Sequence, residues 1–338
     1  MSGPARAPVV WVVAHPTVAQ ERSAEPLADP AFHHAIAQSP AGQSLAGVIV
    51  SEQLAWRRGP GGHAVGQVWA QSGAEVAVIA GPDPRHQADA RQLLVDGAAS
   101  VIGWGRRVHE LGATMACWPT ILDAPEAIVP AKAELFTALI DSGLDPMLRI
   151  SVPGTSLDNP QVLGRLGELL AGLGSRGCDL SRLTLCVPMP MPHHAGQGLG
   201  ARLVDGLVDS VPDQVRAIVV ISSRDHLHLA QADAWDLADA ISRRSTPWPI
   251  AYSAGDMALR AAAAWWRGPE LAGDAVRRFE KILELLAQPM IPAYTGWPTD
   301  DAPATDAQAP RATTSPPRGF DTSLFRMRSL FRRPPVQP

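Results

Sequence analysis

The residues best equipped for chemistry gather at Arg224-Asp225-His226-Leu227-His228. Two histidines at i and i+2 on an extended segment point the same way and can grip one metal ion. With His193 or His194 from Pro188-Met-Pro-Met-Pro-His-His194, and Asp256 further on, the set offers N/N/N/O ligation to a divalent cation such as zinc or manganese. A water in the remaining position would lose its proton more readily, so the pattern points to metal-assisted hydrolysis. Ser253-Ala-Gly-Asp256 suggests a different chemistry, because Ser253 and Gly255 before a helix can present backbone N–H groups to a phosphate. The ordinary alternatives are surface histidines and an Asp256 that caps its helix.

Those residues must be held by elements, and the chain supplies them in alternation. Apolar runs at Val9–His15, Leu45–Val50 and Glu75–Ala80 read as strands, followed by Met147–Val152, Leu183–Val187, Ala217–Ser222 and Pro249–Ser253. Ala99–Trp104 reads as a fourth strand, with Ala113–Trp118 as a further strand or the true fourth one. Between the runs, helical periodicity covers 63–72, 85–96, 130–142, 159–172, 200–208 and 231–243, with another helix opening at Asp256 and a last one at 271–286. The segment with His33 and His34 reads as a polar connection, and Asp83 as a helix cap.

Eight or nine strands, nearly all followed by helices, predict a (β/α)8 barrel over residues 1–288. A doubly wound open parallel sheet is the alternative, but no early strand is followed by G-x-G-x-x-G. In a barrel the carboxyl ends of the strands face the site, which brings His15, Glu52, Asp83, Trp104, Arg149, His193, His194, Asp225, His226, His228 and Asp256 into consideration. Arg224, Asp225 and Glu52 are the catalytic candidates, Ser253 and Gly255 the anion-binding ones, and His193, His226, His228 and Asp256 the metal ligands. P-loop, serine-hydrolase and dithiol motifs are absent. An enzyme acting on a small molecule at the mouth is therefore the leading expectation.

The chain has 338 residues, 46% of them apolar, and a net charge of −4, so no global field recruits nucleic acid. Its three cysteines, without C-x-x-C spacing, fit a reducing, cytoplasmic setting. No apolar run approaches the ~20 residues of a membrane span. Tryptophan outnumbers tyrosine ten to two; most of these rings are expected in the core, with Trp104 and Trp118 as possible stacking platforms for a flat ligand. Residues 289–319 are rich in Pro, Ala and Thr and read as a disordered linker. Phe320–Arg333 then sets Phe320, Leu324, Met327 and Phe331 on one helical stripe flanked by arginines, a docking segment for a protein partner.

One stretch resembles a known family. Ile150-Ser-Val-Pro-Gly-Thr-Ser-Leu-Asp-Asn-Pro160, with the leucine-rich helix and Asp179-Leu-Ser-Arg-Leu-Thr-Leu185 after it, is similar to the middle of EAL-type cyclic-dinucleotide phosphodiesterase barrels, and Glu52-Gln-Leu54 to their opening triplet. The likeness covers about 40 residues. Pro153 stands where that family has a metal-binding Asn, Val187-Pro188 replace the expected Glu, and no Asp-Asp-Phe-Gly follows. The resemblance thus implies a barrel and, as the alternative to an enzyme, a catalytically silent barrel that scaffolds through its tail; it transfers no catalytic residue.

Overall fold

A computed structural model describes residues 10–14, 25–80, 97–122, 125–152, 154–190 and 198–293. All lie in Met1–Thr299, the first of the two units into which the chain divides. Candidate residues His15, Asp83, His193 and His194, the helix expected at 85–96, and the docking segment Phe320–Arg333 lie outside the described residues.

Eight parallel strands close on themselves in sequence order: β1 (Val10–Ala14), β2 (Gly47–Ser51), β3 (Glu75–Ile79), β4 (Met115–Ile121), β5 (Asp145–Ser151), β6 (Thr184–Pro188), β7 (Ala217–Ile221) and β8 (Ile250–Ser253). Closure is made where Val10 and Trp11 pair with Tyr252 and Ser253. The described helices of seven or more residues are α1 (Pro30–Ala37), α2 (Val65–Gln71), α3 (Ala98–His109), α4 (Pro125–Asp141), α5 (Pro160–Ser175), α6 (Leu199–Ser210), α7 (Leu227–Arg243), α8 (Met257–Ala263) and α9 (Ala272–Met290).

Strand alternation sorts the apolar residues into two cores. Trp11, Val13, Ile49, Ala77, Ile79, Met115, Cys117, Met147, Cys186, Val219 and Ala251 fill the barrel, while the residues alternating with them along each strand pack outward against the helices. Both strand faces are therefore dry, which is why the strands read as continuous apolar runs. The helices contribute one apolar stripe each, such as Phe279, Ile282, Leu283 and Leu286 on α9.

Three expectations require correction. Ala99–Trp104 is part of α3, not a strand, and Met115–Ile121 is the true β4. Val101, Trp104 and Val108 form a helical stripe that a short window cannot tell from a strand. Trp104 thus stands in the helical layer, edge to face with Trp118 at 6.5 Å between centroids, and neither ring faces the mouth. The segment with His33 and His34 is helix α1, capped by Asp29 and started by Pro30. His33 is fully buried and its ring bonds the Leu27 carbonyl at 2.7 Å; burial pushes its pKa down to about 4, so it is neutral and structural. Lastly, α4 begins at Pro125 and carries Pro130 inside, ahead of the start expected at 130.

Two charged groups are set deep in this frame. At the amino end of the barrel, Arg216 reaches Asp145 at 3.0 Å and Glu75 at 2.8 Å, and Arg182 also engages Asp145. On α4, Lys132 is 6% exposed, with its ammonium 5.5 Å from the Trp118 ring centroid.

The contact between α6 and α7 depends on Gly200. Its N–H donates to the Asp236 carboxylate at 2.7 Å, and a Cβ there would lie 2.5 Å from the Asp236 carbonyl oxygen. Gly200→Ala should push the two helices apart and cost about 1–3 kcal/mol, typical of overpacking. Urea unfolding of the variant checks this; an unchanged midpoint would contradict the close approach.

Candidate functional site

The carboxyl ends of β5, β6 and β7 enclose a hollow of about 520 Å³ at the mouth of the barrel. The β5 wall supplies Arg149, Ser151 and the turn through Gly154, Thr155 and Ser156; Pro188, Met189, Ile221 and Ser223 come from the neighbouring strand ends. A second hollow of about 650 Å³, lined by Val10, Leu45, Arg277 and Lys281, opens at the amino end. The smaller one is the better candidate, because loops at the carboxyl ends of (β/α)8 strands build the sites of this architecture.

Arg149 gives the hollow its character. It shares strand parity with Met147, and its field acts on Cys117 and Cys186, so its guanidinium lies over the barrel interior. Burial pushes the Cys117 thiol up to about 12 and Cys186 higher still, with Arg149 pulling both the other way. Both thiols are therefore protonated, inert core groups at neutral pH. Among the described residues no carboxylate or carbonyl bonds Arg149, although the side chain is only half-exposed. A guanidinium has five donors and cannot shed its proton, so one held without a partner beside an apolar core is set to receive an anion.

The other candidates among the described residues fall elsewhere. Arg224 turns away from the mouth: its Nε donates to Asp233 at 2.9 Å and its Nη2 to the other oxygen at 3.3 Å, while Ser222 Oγ donates to the same carboxylate at 2.8 Å. Asp225 is exposed and meets Arg260 at 3.1 Å; Asp256 meets the same arginine at 3.0 Å. Burial raises the Asp256 pKa, and Arg260 acts against that rise. Its side chain makes no cap bond, so the capping role expected for it is corrected to an ion pair with the next turn of α8.

The histidine pair is also placed differently. His226 is the residue before α7 and His228 lies in its first turn, so the extended segment expected there is a helix start. Both rings are exposed and stack on each other with centroids 5.7 Å apart. Among the described residues no group of three His, Cys, Asp or Glu side chains could hold a metal ion. Ser253 Oγ accepts the Gly255 N–H at 3.1 Å, and the Gly255 carbonyl accepts from Val13 at 2.9 Å, so this turn is engaged by its own serine and by β1. Glu52 begins the helical turn Glu52–Ala55, which Ser51 caps.

Sequence position alone brought Arg149 into view, and the sharper signal is its setting in Met147-Leu-Arg-Ile-Ser151. A cation at an inward position of an otherwise dry strand is expensive unless something uses it. Ser223, Thr155 and Ser156, which also line the hollow, had no comparable signal.

No family model matches the chain, and no curated protein matches it. Among solved structures it is similar to fructose-bisphosphate aldolase from Plasmodium falciparum, in complex with TRAP and a small molecule inhibitor. The TM-score is 0.66 at 14% identity, over 85% of this chain and 91% of the aldolase chain. At that identity the likeness shows the fold, a (β/α)8 barrel, and nothing of the reaction. No helix among the described residues is long and apolar enough to cross a membrane.

Proposed function

We propose that this barrel binds a small anionic molecule at its carboxyl-end mouth, with Arg149 as the anchoring cation. The observation that carries the reading is a guanidinium without an anionic partner among the described residues, lining a hollow of about 520 Å³. That volume lies within the ~300–1,000 Å³ range of small-molecule sites. The hydroxyls of Ser151, Thr155 and Ser223 line the same hollow and can complete the coordination of the anion.

The described wall holds one cation, several hydroxyls and no carboxylate, histidine or lysine, so it supplies recognition and not an acid–base pair. Hydrolysis of a phosphate ester, the finer expectation, would draw its proton transfers from groups outside that wall. Along the sequence, His193 and His194 follow Pro190 most closely.

Ligand-observed NMR against a panel of small carboxylates, phosphate esters and neutral analogues tests the reading. Only anions should bind, and Arg149→Met should weaken them about thirtyfold or more, the scale of losing one partner of a desolvated charge pair. Equal binding of neutral analogues, or full retention by Arg149→Met, would remove the anchor.

A further inference from the structure

The composition of the mouth narrows the class of anion. Arg149 is the single charged side chain among the described residues lining it. One planar guanidinium fork matches the two oxygens of a carboxylate and balances one negative charge. A phosphate monoester brings about −1.5 to −2 charges and three peripheral oxygens, so it would leave an oxygen and part of its charge without a counterpart.

Two supplements that phosphate could use among the described residues are taken. The helix that follows β5 begins at Pro160, which has no N–H, and Asn159 accepts the next free N–H, that of Gln161, at 2.9 Å. Arg202, at the start of α6, is held by Asp158 at 3.0 Å. Asp158 itself adjoins the Ser156-Leu157 wall and would repel a second negative charge.

Apart from the serine and threonine hydroxyls, the rest of the described wall is apolar. Val152, Leu157, Pro188, Met189, Pro190 and Ile221 line the hollow, and a bare carboxylate would leave that surface wet. We infer that the ligand is a small monocarboxylate with an apolar body, its carboxylate forked by Arg149 and its body laid against the walls from β5 to β7. This rests on the anion-binding reading and specifies its substrate class.

Isothermal titration of the full chain with phenylacetate, phenyl phosphate, acetate and 2-phenylethanol decides it. Phenylacetate should bind at least about tenfold more tightly than each of the other three, since a charge-assisted pair and a buried ring are each worth a factor of that order. Arg149→Lys should weaken phenylacetate about tenfold, because an ammonium cannot reproduce the fork. The ranking on the native chain stands as the test even if the variant does not fold. Tighter binding of phenyl phosphate would overturn the carboxylate assignment while leaving an anion site. Acetate equal to phenylacetate would overturn the apolar body, and 2-phenylethanol equal to phenylacetate would overturn the role of the charge. If none of the four binds, the inference and the reading beneath it both fall.

Discussion

Lys132→Met is expected to stabilise the barrel by roughly 3 kcal/mol at pH 7 and below, with the gain shrinking as the pH rises toward 10.5. Burial beside Trp118 lowers the lysine pKa from 10.5 to about 7, a difference worth about 5 kcal/mol. The indole face favours the ammonium and returns on the order of 2 kcal/mol. The sign follows from proton counts. Between about pH 7 and 10.5 the unfolded chain holds a proton that the folded chain has released, so native stability rises with pH across that window. Below it, both states are protonated and the folded state carries the whole penalty. Methionine fills a similar volume without a charge, so it removes the penalty at low pH and changes little at high pH. Urea unfolding of both chains at pH 6.5 and pH 10 measures this. A gain that is equal at the two pH values, or a loss at pH 6.5, would show that the ammonium is solvated or paired in the native state.

Arg216→Met is expected to destabilise by about 3 kcal/mol, since removing one member of a largely buried charge network takes a shared counter-charge from the others. The Arg216 side chain is 10% exposed, and its partners Glu75 and Asp145 open β3 and β5, so one guanidinium ties three strands at the barrel base. Without it, the Glu75 and Asp145 carboxylates lose the cation they share. Adding Glu75→Gln and Asp145→Asn to Arg216→Met should recover part of the loss, because the repulsion goes with the charges. A surface pair would cost at most about 1 kcal/mol. A loss that small, or no recovery in the triple variant, would mean that this network does not hold the base.

Much of the architecture is legible in the residues because parallel strands with two dry faces leave long apolar runs. Glu75–Ile79, Thr184–Pro188 and Ala217–Ile221 lie within a residue or two of where their patterns place them. Reading fails where two periodicities share one window, as at Val101-Ile-Gly-Trp104, which alternates well enough to mimic a strand while its longer stripe belongs to α3. Pro130 misleads in a similar way, since proline favours a first turn and here stands inside a helix.

The site was harder to read, for reasons of geometry. Arg224, Asp225 and Asp256 have suitable types at suitable strand ends, but Arg224 is taken by Asp233 on α7, and Arg260 takes the two aspartates. Local pairing of this kind crosses between elements, so spacing along the chain does not reveal it. Arg149 is informative through what it lacks, and a missing partner becomes visible only when the neighbours are in place. The stretch from Ile150 to Ser156 that resembles the phosphodiesterase barrels does line the mouth, apart from Pro153, which lies outside the described residues.

If Arg149 receives an anion, its own side chain reports this most directly. In a ¹⁵N-labelled chain, the Nε–Hε resonance of Arg149 can be identified by its loss in Arg149→Met. Titrating phenylacetate should move that resonance in a saturable way and sharpen it as the fork closes on the carboxylate, while 2-phenylethanol leaves it in place. A resonance that stays unmoved while phenylacetate demonstrably binds elsewhere on the chain would contradict the account.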